Sequence, residues 1–184
     1  MEIDIYLVRH GEAAASWAQS ADPGLSELGQ RQAEQVAGKL SQHLSPEVQL
    51  LSSPLLRALE TARPLASALD KQIVTNDVFR EIPAPVPLDQ RQTWLRQFMR
   101  ERWDTQVESL HQWRDSLYQQ LLGLHEPTVV FTHFLVINAV VGRIQQREET
   151  LCFWPDNASI THLTLTPGSL ALVKLGDELS TVVN

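Results

Sequence analysis

The sequence predicts an α/β fold: a three-layer sandwich whose central sheet is mainly parallel, with helices on both faces and a C-terminal hairpin. Three observations carry this. Short β-branched runs alternate with stretches of helical periodicity, the pattern of parallel strands joined by crossover helices. Residues 128–131 (Thr-Val-Val-Phe) form a run of the kind buried on both faces of a parallel sheet. Last, two alternating segments, 159–166 and 170–175, flank Pro167-Gly168, which reads as a hairpin.

In the first apolar run Ile3, Ile5 and Leu7 alternate with Asp4, Tyr6 and Val8, predicting a strand that delivers Arg9, His10 and Gly11 into a loop at the sheet edge. An Arg beside a His suits an anion, because guanidinium grips phosphate in a fork and imidazole can attack it; Gly11 lets the backbone turn close to a ligand. Residues 13–21 read as a connecting segment in which Trp17 covers core. After the turn Asp22-Pro23-Gly24, Ser26 caps a helix whose apolar stripe is Leu28, Ala33, Val36, Ala37, Leu40 and Leu44, ended by Ser45-Pro46. Residues 48–51 make a second strand. It runs into Ser53-Pro54 and a helix with Pro54 in its first turn, Arg57 close behind, a buried side of Leu55, Leu59 and Ala62, and a kink or restart at Pro64. Residues 73–75 are a short third strand.

Pro83, Pro85 and Pro87 make the next segment a stiff excursion that is neither helix nor inner strand. Trp94, Leu95, Phe98, Met99, Trp103, Val107, Leu110, Trp113, Leu117 and Leu121 then recur at helical intervals, predicting two helices on the sheet with a break near Asp104-Thr105. Arg91, Arg96, Arg100 and Arg102 are assigned to a solvated face. The strand at 128–131 hands Thr132 and His133 to an apolar helix at 135–144, repeating the geometry of the first strand.

With 184 residues, 43% of them hydrophobic, a single domain spanning 1–184 is expected. The net charge of -7 argues against a nucleic-acid partner, which needs Lys and Arg in excess. The single cysteine, Cys152, fits a reducing compartment and excludes a disulfide framework. No run approaches a membrane span and acidic Glu2 and Asp4 stand where a secretory signal is basic, so a cytoplasmic location without membrane attachment is expected. His43, His111, His125 and His162 show no ligand spacing and are read as structural.

Arg9, His10, Arg57 and His133 each follow a predicted strand that precedes a helix, and in a parallel sheet such ends share one edge. Two guanidiniums and two imidazoles in one crevice repel unless an anion belongs there, and the anion inferred is a phosphoryl group. Leu7-Val8-Arg9-His10-Gly11-Glu12, Leu25-Ser26-Glu27-Leu28-Gly29 with Gln32-Ala33, Ser52-Ser53-Pro54-Leu55-Leu56-Arg57-Ala58 with Glu60-Thr61-Ala62, and Phe131-Thr132-His133 stand in the order found in the histidine phosphatase superfamily, which this sequence resembles. The resemblance implies that His10 is phosphorylated, that Arg9, Arg57 and His133 hold the phosphoryl oxygens, and that an acid protonates the leaving oxygen, with no metal or other cofactor. The chemistry agrees: neutral His10 is the nucleophile, and cationic Arg9, Arg57 and His133 supply the charge that Mg²⁺ supplies elsewhere.

Three features depart from the commoner pattern. Phe134 replaces the Gly that usually follows the second histidine, residues 13–18 lack the Asn of the mutases, and their Glu-rich, Gly-containing acid motif is missing. The expectation is a phosphatase acting on a phosphorylated small molecule. A phosphoglycerate-type mutase and a catalytically weak phosphate-binding or interaction relative are the alternatives. For the general acid the sequence favours Glu81, which follows the third strand in the proline-stiffened loop, over Glu12, beside the nucleophile, and over Glu60, whose spacing from Arg57 suits a helix salt bridge. A solvated Glu81 paired with Arg80 is the bland alternative.

Overall fold

A computed structural model describes residues 1–15 and 21–179. Trp17 lies outside the described residues. Six strands form one sheet in the order β3-β2-β4-β1-β5-β6: β1 (Ile3–Arg9), β2 (Gln49–Ser52), β3 (Ile73–Thr75), β4 (Thr128–Thr132), β5 (Ile160–Thr166) and β6 (Ser169–Lys174). Strands β1 to β4 are mutually parallel, whereas β5 runs antiparallel to β1 and β6 folds back on β5. Gly168, at φ 76°, takes the left-handed turn of the hairpin.

Alternation along the strands sorts side chains into two apolar layers. Ile3, Ile5, Leu7, Leu51 and Val130 face one core with α3 (Arg91–Phe98), α4 (Glu108–Leu122) and α5 (Phe134–Ile144). Val8, Leu50, Val129 and Phe131 face the other, with α1 (Glu27–Ser41) and α2 (Leu56–Leu69). The sandwich is therefore the one expected, with β4 buried along its whole length. In place of two helices laid directly on the sheet, α5 covers β1, and α4 packs against α5. Breaking the run between α3 and α4, a 3-10 turn at Trp103–Thr105 buries Trp103.

Several local expectations are corrected. Ser26 does cap α1, accepting from Gly29 N, but Leu28 is exposed and the helix ends before Ser45-Pro46. Pro54 lies ahead of α2, which starts at Leu56 and whose free Leu56 N–H is satisfied by Asp22 Oδ1 from the turn before α1. Ala58, Ala62 and Leu65 form the buried side of α2, with Leu55 and Leu59 only half-buried, and the helix continues through Pro64. Val107 is exposed at the start of α4.

Gly11 and Gly29 meet where the loop after β1 crosses the first turn of α1. A Cβ on Gly11 would lie 2.8 Å from Gly29 O, and one on Gly29 would lie 2.2 Å from Glu12 O. Gly11 is thus needed for close packing of backbone on backbone. Gly29→Ala should destabilise the protein by roughly 2 kcal/mol, because rigid main chain has to move. That corresponds to a Tm lower by about 4–8 °C for a chain of this size. An unchanged Tm would show that the crossing is loose.

Candidate active site

Three parallel strands deliver the site. β1 hands over His10, β4 hands over His133 as the N-cap residue of α5, and the turn after β2 leads into α2 with Arg57 as its second residue. The ladders continue past the strand ends: His10 N donates to Thr132 O at 3.0 Å and Ser53 N to Phe131 O at 2.9 Å. The two imidazole centroids lie 5.3 Å apart, and Arg57 Nε donates to His10 Nε2 at 3.3 Å. Arg9, Arg57, His10 and His133 are therefore brought together, as expected, and Glu81 joins them.

His10 Nδ1 lies 2.7 Å from Gly11 O. A carbonyl only accepts, so Nδ1 carries the ring proton and Nε2 keeps its lone pair, the assignment that also lets Arg57 donate to Nε2. Behind it Gly11 N donates to Thr61 Oγ1 at 2.9 Å, and that hydroxyl donates to Arg57 O at 2.7 Å, so Thr61 locks the loop after His10 to the helix that carries Arg57. Burial, then Arg9 and Arg57, hold the His10 pKa well below 6.5, against the opposing bond to Gly11 O.

The His133 ring is buried beside His10. Burial first, then His10, Arg57, Arg9 and Arg91, hold its pKa well below 6.5, so without an anion it is neutral. Ser53 Oγ, which accepts from Leu55 N, lies 2.8 Å from His133 Nε2. His133 Nδ1 and Arg9 Nε are buried without partners among the described residues. Burial lowers Arg9 to about 10, against the attraction of Glu81 and Asp156, and it stays charged at neutral pH; Arg57 is lowered for the same first reason.

Glu81 is buried. Its Oε1 accepts from Ile82 N at 2.9 Å and its Oε2 from Leu135 N, in the first turn of α5, at 3.2 Å. Burial raises its pKa above 4.5; the two backbone bonds, Arg57 and Arg9 oppose the rise without cancelling it. Arg80 pairs instead with Asp77 at 3.0 Å. The other carboxyls have structural posts: Glu12 Oε1 accepts from Ser26 Oγ at 2.8 Å, and Glu60 accepts from Leu25 N at 2.8 Å and pairs with Arg63 at 3.8 Å.

A family model described as the histidine phosphatase superfamily (branch 1) matches residues 5–178. The chain belongs to this superfamily. A probable phosphoglycerate mutase of Proteus mirabilis is 32% identical over 105 residues, 55% of this chain and 47% of that protein. The mitochondrial serine/threonine-protein phosphatase Pgam5 of Drosophila ananassae is 29% identical over 182 residues, 94% of this chain and 62% of that one. The chain thus spans about half to three fifths of these relatives. Among solved structures, the phosphoserine phosphatase of Entamoeba histolytica in complex with 3-phosphoglyceric acid has a TM-score of 0.72 at 22% identity, covering 95% of this chain and 97% of that one. The native mycobacterial glucosyl-3-phosphoglycerate phosphatase gives 0.68 at 20%, with 89% and 91% covered. These two likenesses establish the fold.

Two positions of this superfamily member, Phe134 and Arg91, gain a physical account. Phe134 is buried with the Arg9 guanidinium over its ring at 5.1 Å, so the residue that replaces glycine props a cation of the site. Arg91, read from sequence as solvated, is half-buried at the start of α3 and close enough to depress Arg57 and His133. Its position just beyond the proline-rich loop was the available signal. Arg96, Arg100 and Arg102 are exposed, as expected. His162 stacks on Tyr6 and pairs with Asp4 at 2.7 Å, a structural use across β1 and β5.

A cleft lined by His111, Arg114, Asp115, Arg143 and Arg147 lies at the opposite end of α5 from His133. Its arginines are engaged by Asp115, by Glu149 and by the Trp103 ring, and it contains none of the strand-end residues. Among the described residues no helix is long and apolar enough to cross a membrane, and no group of three or more His, Cys, Asp or Glu is placed to hold a metal ion.

Proposed function

We propose that the chain is a metal-independent phosphatase that hydrolyses phosphomonoesters through a phosphohistidine at His10. The observation that carries this is the fixed His10 ring: Nδ1 is committed to Gly11 O, and the Nε2 lone pair faces Arg57 among groups that favour an anion. Arg9 Nε and His133 Nδ1, buried without partners among the described residues, are donors that phosphoryl oxygens satisfy. The dianion also offsets the burial and the neighbouring cations that keep His133 neutral, so His133 gains its charge with substrate.

In the first step His10 Nε2 attacks phosphorus, the ester P–O bond breaks and Glu81 gives its proton to the leaving oxygen. Each Glu81 oxygen accepts one backbone N–H and retains capacity for a proton. In the second, water attacks the phosphohistidine, the P–N bond breaks and the Glu81 carboxylate takes the water proton. Arg9 and Arg57 neutralise the equatorial oxygens throughout. The names of the relatives, phosphatases and a mutase, support phosphoryl transfer. The resemblance to a probable phosphoglycerate mutase keeps a mutase as second reading, which requires activity that depends on priming by a bisphosphate.

The test is hydrolysis of a panel of phosphorylated metabolites by the purified protein. Excess EDTA should leave the rate unchanged and vanadate should inhibit competitively, because the guanidiniums already provide the charge that five-coordinate phosphorus needs. Loss of activity in EDTA that Mg²⁺ or Zn²⁺ restores would overturn the proposal.

A further inference from the structure

We infer that Trp154, backed by Phe134, is the platform for the leaving group, and that the preferred substrate is a phosphomonoester of a phenolic alcohol without further negative charge. The inference rests on the phosphatase reading above.

The position of the acid gives the direction. In-line displacement puts the leaving oxygen opposite His10, where the acid must stand. Glu81 is bound to Leu135 N, one residue past Phe134 in the first turn of α5, so the acid and Phe134 share one end of that helix. That ring is buried and meets Trp154 edge to face at 5.6 Å, 66° between planes. Trp154 in turn is 39% exposed, an open aromatic at the end of a line that runs from the Arg9 guanidinium through Phe134. Pro155 O accepts from Arg9 Nη1 at 2.9 Å, which ties the segment bearing Trp154 to the same guanidinium.

This platform is preorganised. The amide of Asn138, fully buried in α5, donates to Phe134 O at 3.1 Å and accepts from Cys152 N and Phe153 N at 2.7 and 3.1 Å. Trp154 N donates to Glu178 Oε1 at 3.3 Å, and Trp154 O accepts from Leu179 N at 2.8 Å. A ring carried on so fixed a main chain and held edge to face by Phe134 can stack on a flat partner with little ordering cost. Glu178 is bound to the Trp154 main chain and Asp156 follows two residues on, and their charge disfavours a leaving group with its own carboxylate or second phosphate.

Two measurements separate this from the catalytic reading. In kinetics, Trp154→Ala should lower the ratio of kcat/KM for 2-naphthyl phosphate to that for glycerol phosphate about 10-fold, whereas Trp154→Phe keeps it within about threefold. In binding, titration of the full chain should find phenylphosphonate held about 10-fold more tightly than methylphosphonate, and Trp154→Ala or Trp154→Leu should abolish that preference. Naphthyl and glycerol esters slowed equally, or a phosphonate preference that survives both substitutions, would overturn the platform. A phosphonate preference that depends on Trp154 in a protein that forms no phosphohistidine would uphold the platform and overturn the mechanism.

Discussion

His10→Ala should remove turnover by at least about 10⁴-fold while the protein stays folded, because the His10 Nε2 lone pair is held toward Arg57 whereas the His133 Nε2 is taken up by Ser53. Quenching in base after brief exposure to labelled substrate should trap an acid-labile phosphoenzyme in the unaltered protein and none in the variant. Label that persists in His10→Ala would place the covalent chemistry elsewhere. His10→Gln, which retains most of the ring's volume between Gly11 O and Arg57, controls for collapse of the two guanidiniums into the space left by Ala. Retention of substantial turnover by Gln would point to water as the direct nucleophile.

Glu81→Gln should cut kcat for poor leaving groups by roughly 10²-fold or more and leave nitrophenyl phosphate nearly unaffected, since nitrophenol departs without a proton. Equal small losses on both would move the acid elsewhere. Because burial raises the Glu81 pKa above 4.5, the proton stays in place beyond the usual carboxylate range, and the rate for poor leaving groups falls as pH rises through the raised value. That limb should vanish in Glu81→Gln. Stability carries the same sign: the Glu81 contribution is fully present below pH 4.5 and is lost as pH rises through its folded pKa. His10 and His133 act oppositely, because their folded pKa values lie below 6.5; their contribution is present above 6.5 and is lost as pH falls. Gln satisfies one of the N–H groups of Ile82 and Leu135 and presents its amide NH₂ to the other, so the variant should also lose about 1–3 kcal/mol of stability.

The convergence of Arg9, His10, Arg57 and His133 was legible because strand and helix periodicities alone place three strand ends on one edge. What escaped depends on contacts between segments distant in sequence. The use of Gly11 is set by Gly29, and the N–H of Leu56 that opens α2 is answered by Asp22 and not by the serine before Pro54. Glu60, whose spacing suited Arg57, is turned toward Leu25 N by the packing of α1 against α2. The charge state of His133 without an anion belongs to the cluster: burial first, and then the neighbouring cations, disfavour the protonated imidazole. Arg91 illustrates the same limit, since a helical pattern does not show which of four arginines turns toward the site.

The place of β1 in the sheet bears on how this chain is made. Ile5 pairs with Thr128 on one side and Leu163 on the other, so the strand that presents His10 finds its first neighbour 123 residues downstream. At a synthesis rate of about 5–20 residues per second, that interval is roughly 6–25 s. During it, Ile3, Ile5, Leu7 and Val8 emerge from the ribosome with both edges unpaired, while β2 and β3 can already join and α1 can dock on α2. Such a segment stays exposed to non-native pairing through that interval, and His10 reaches its place only when β4 arrives.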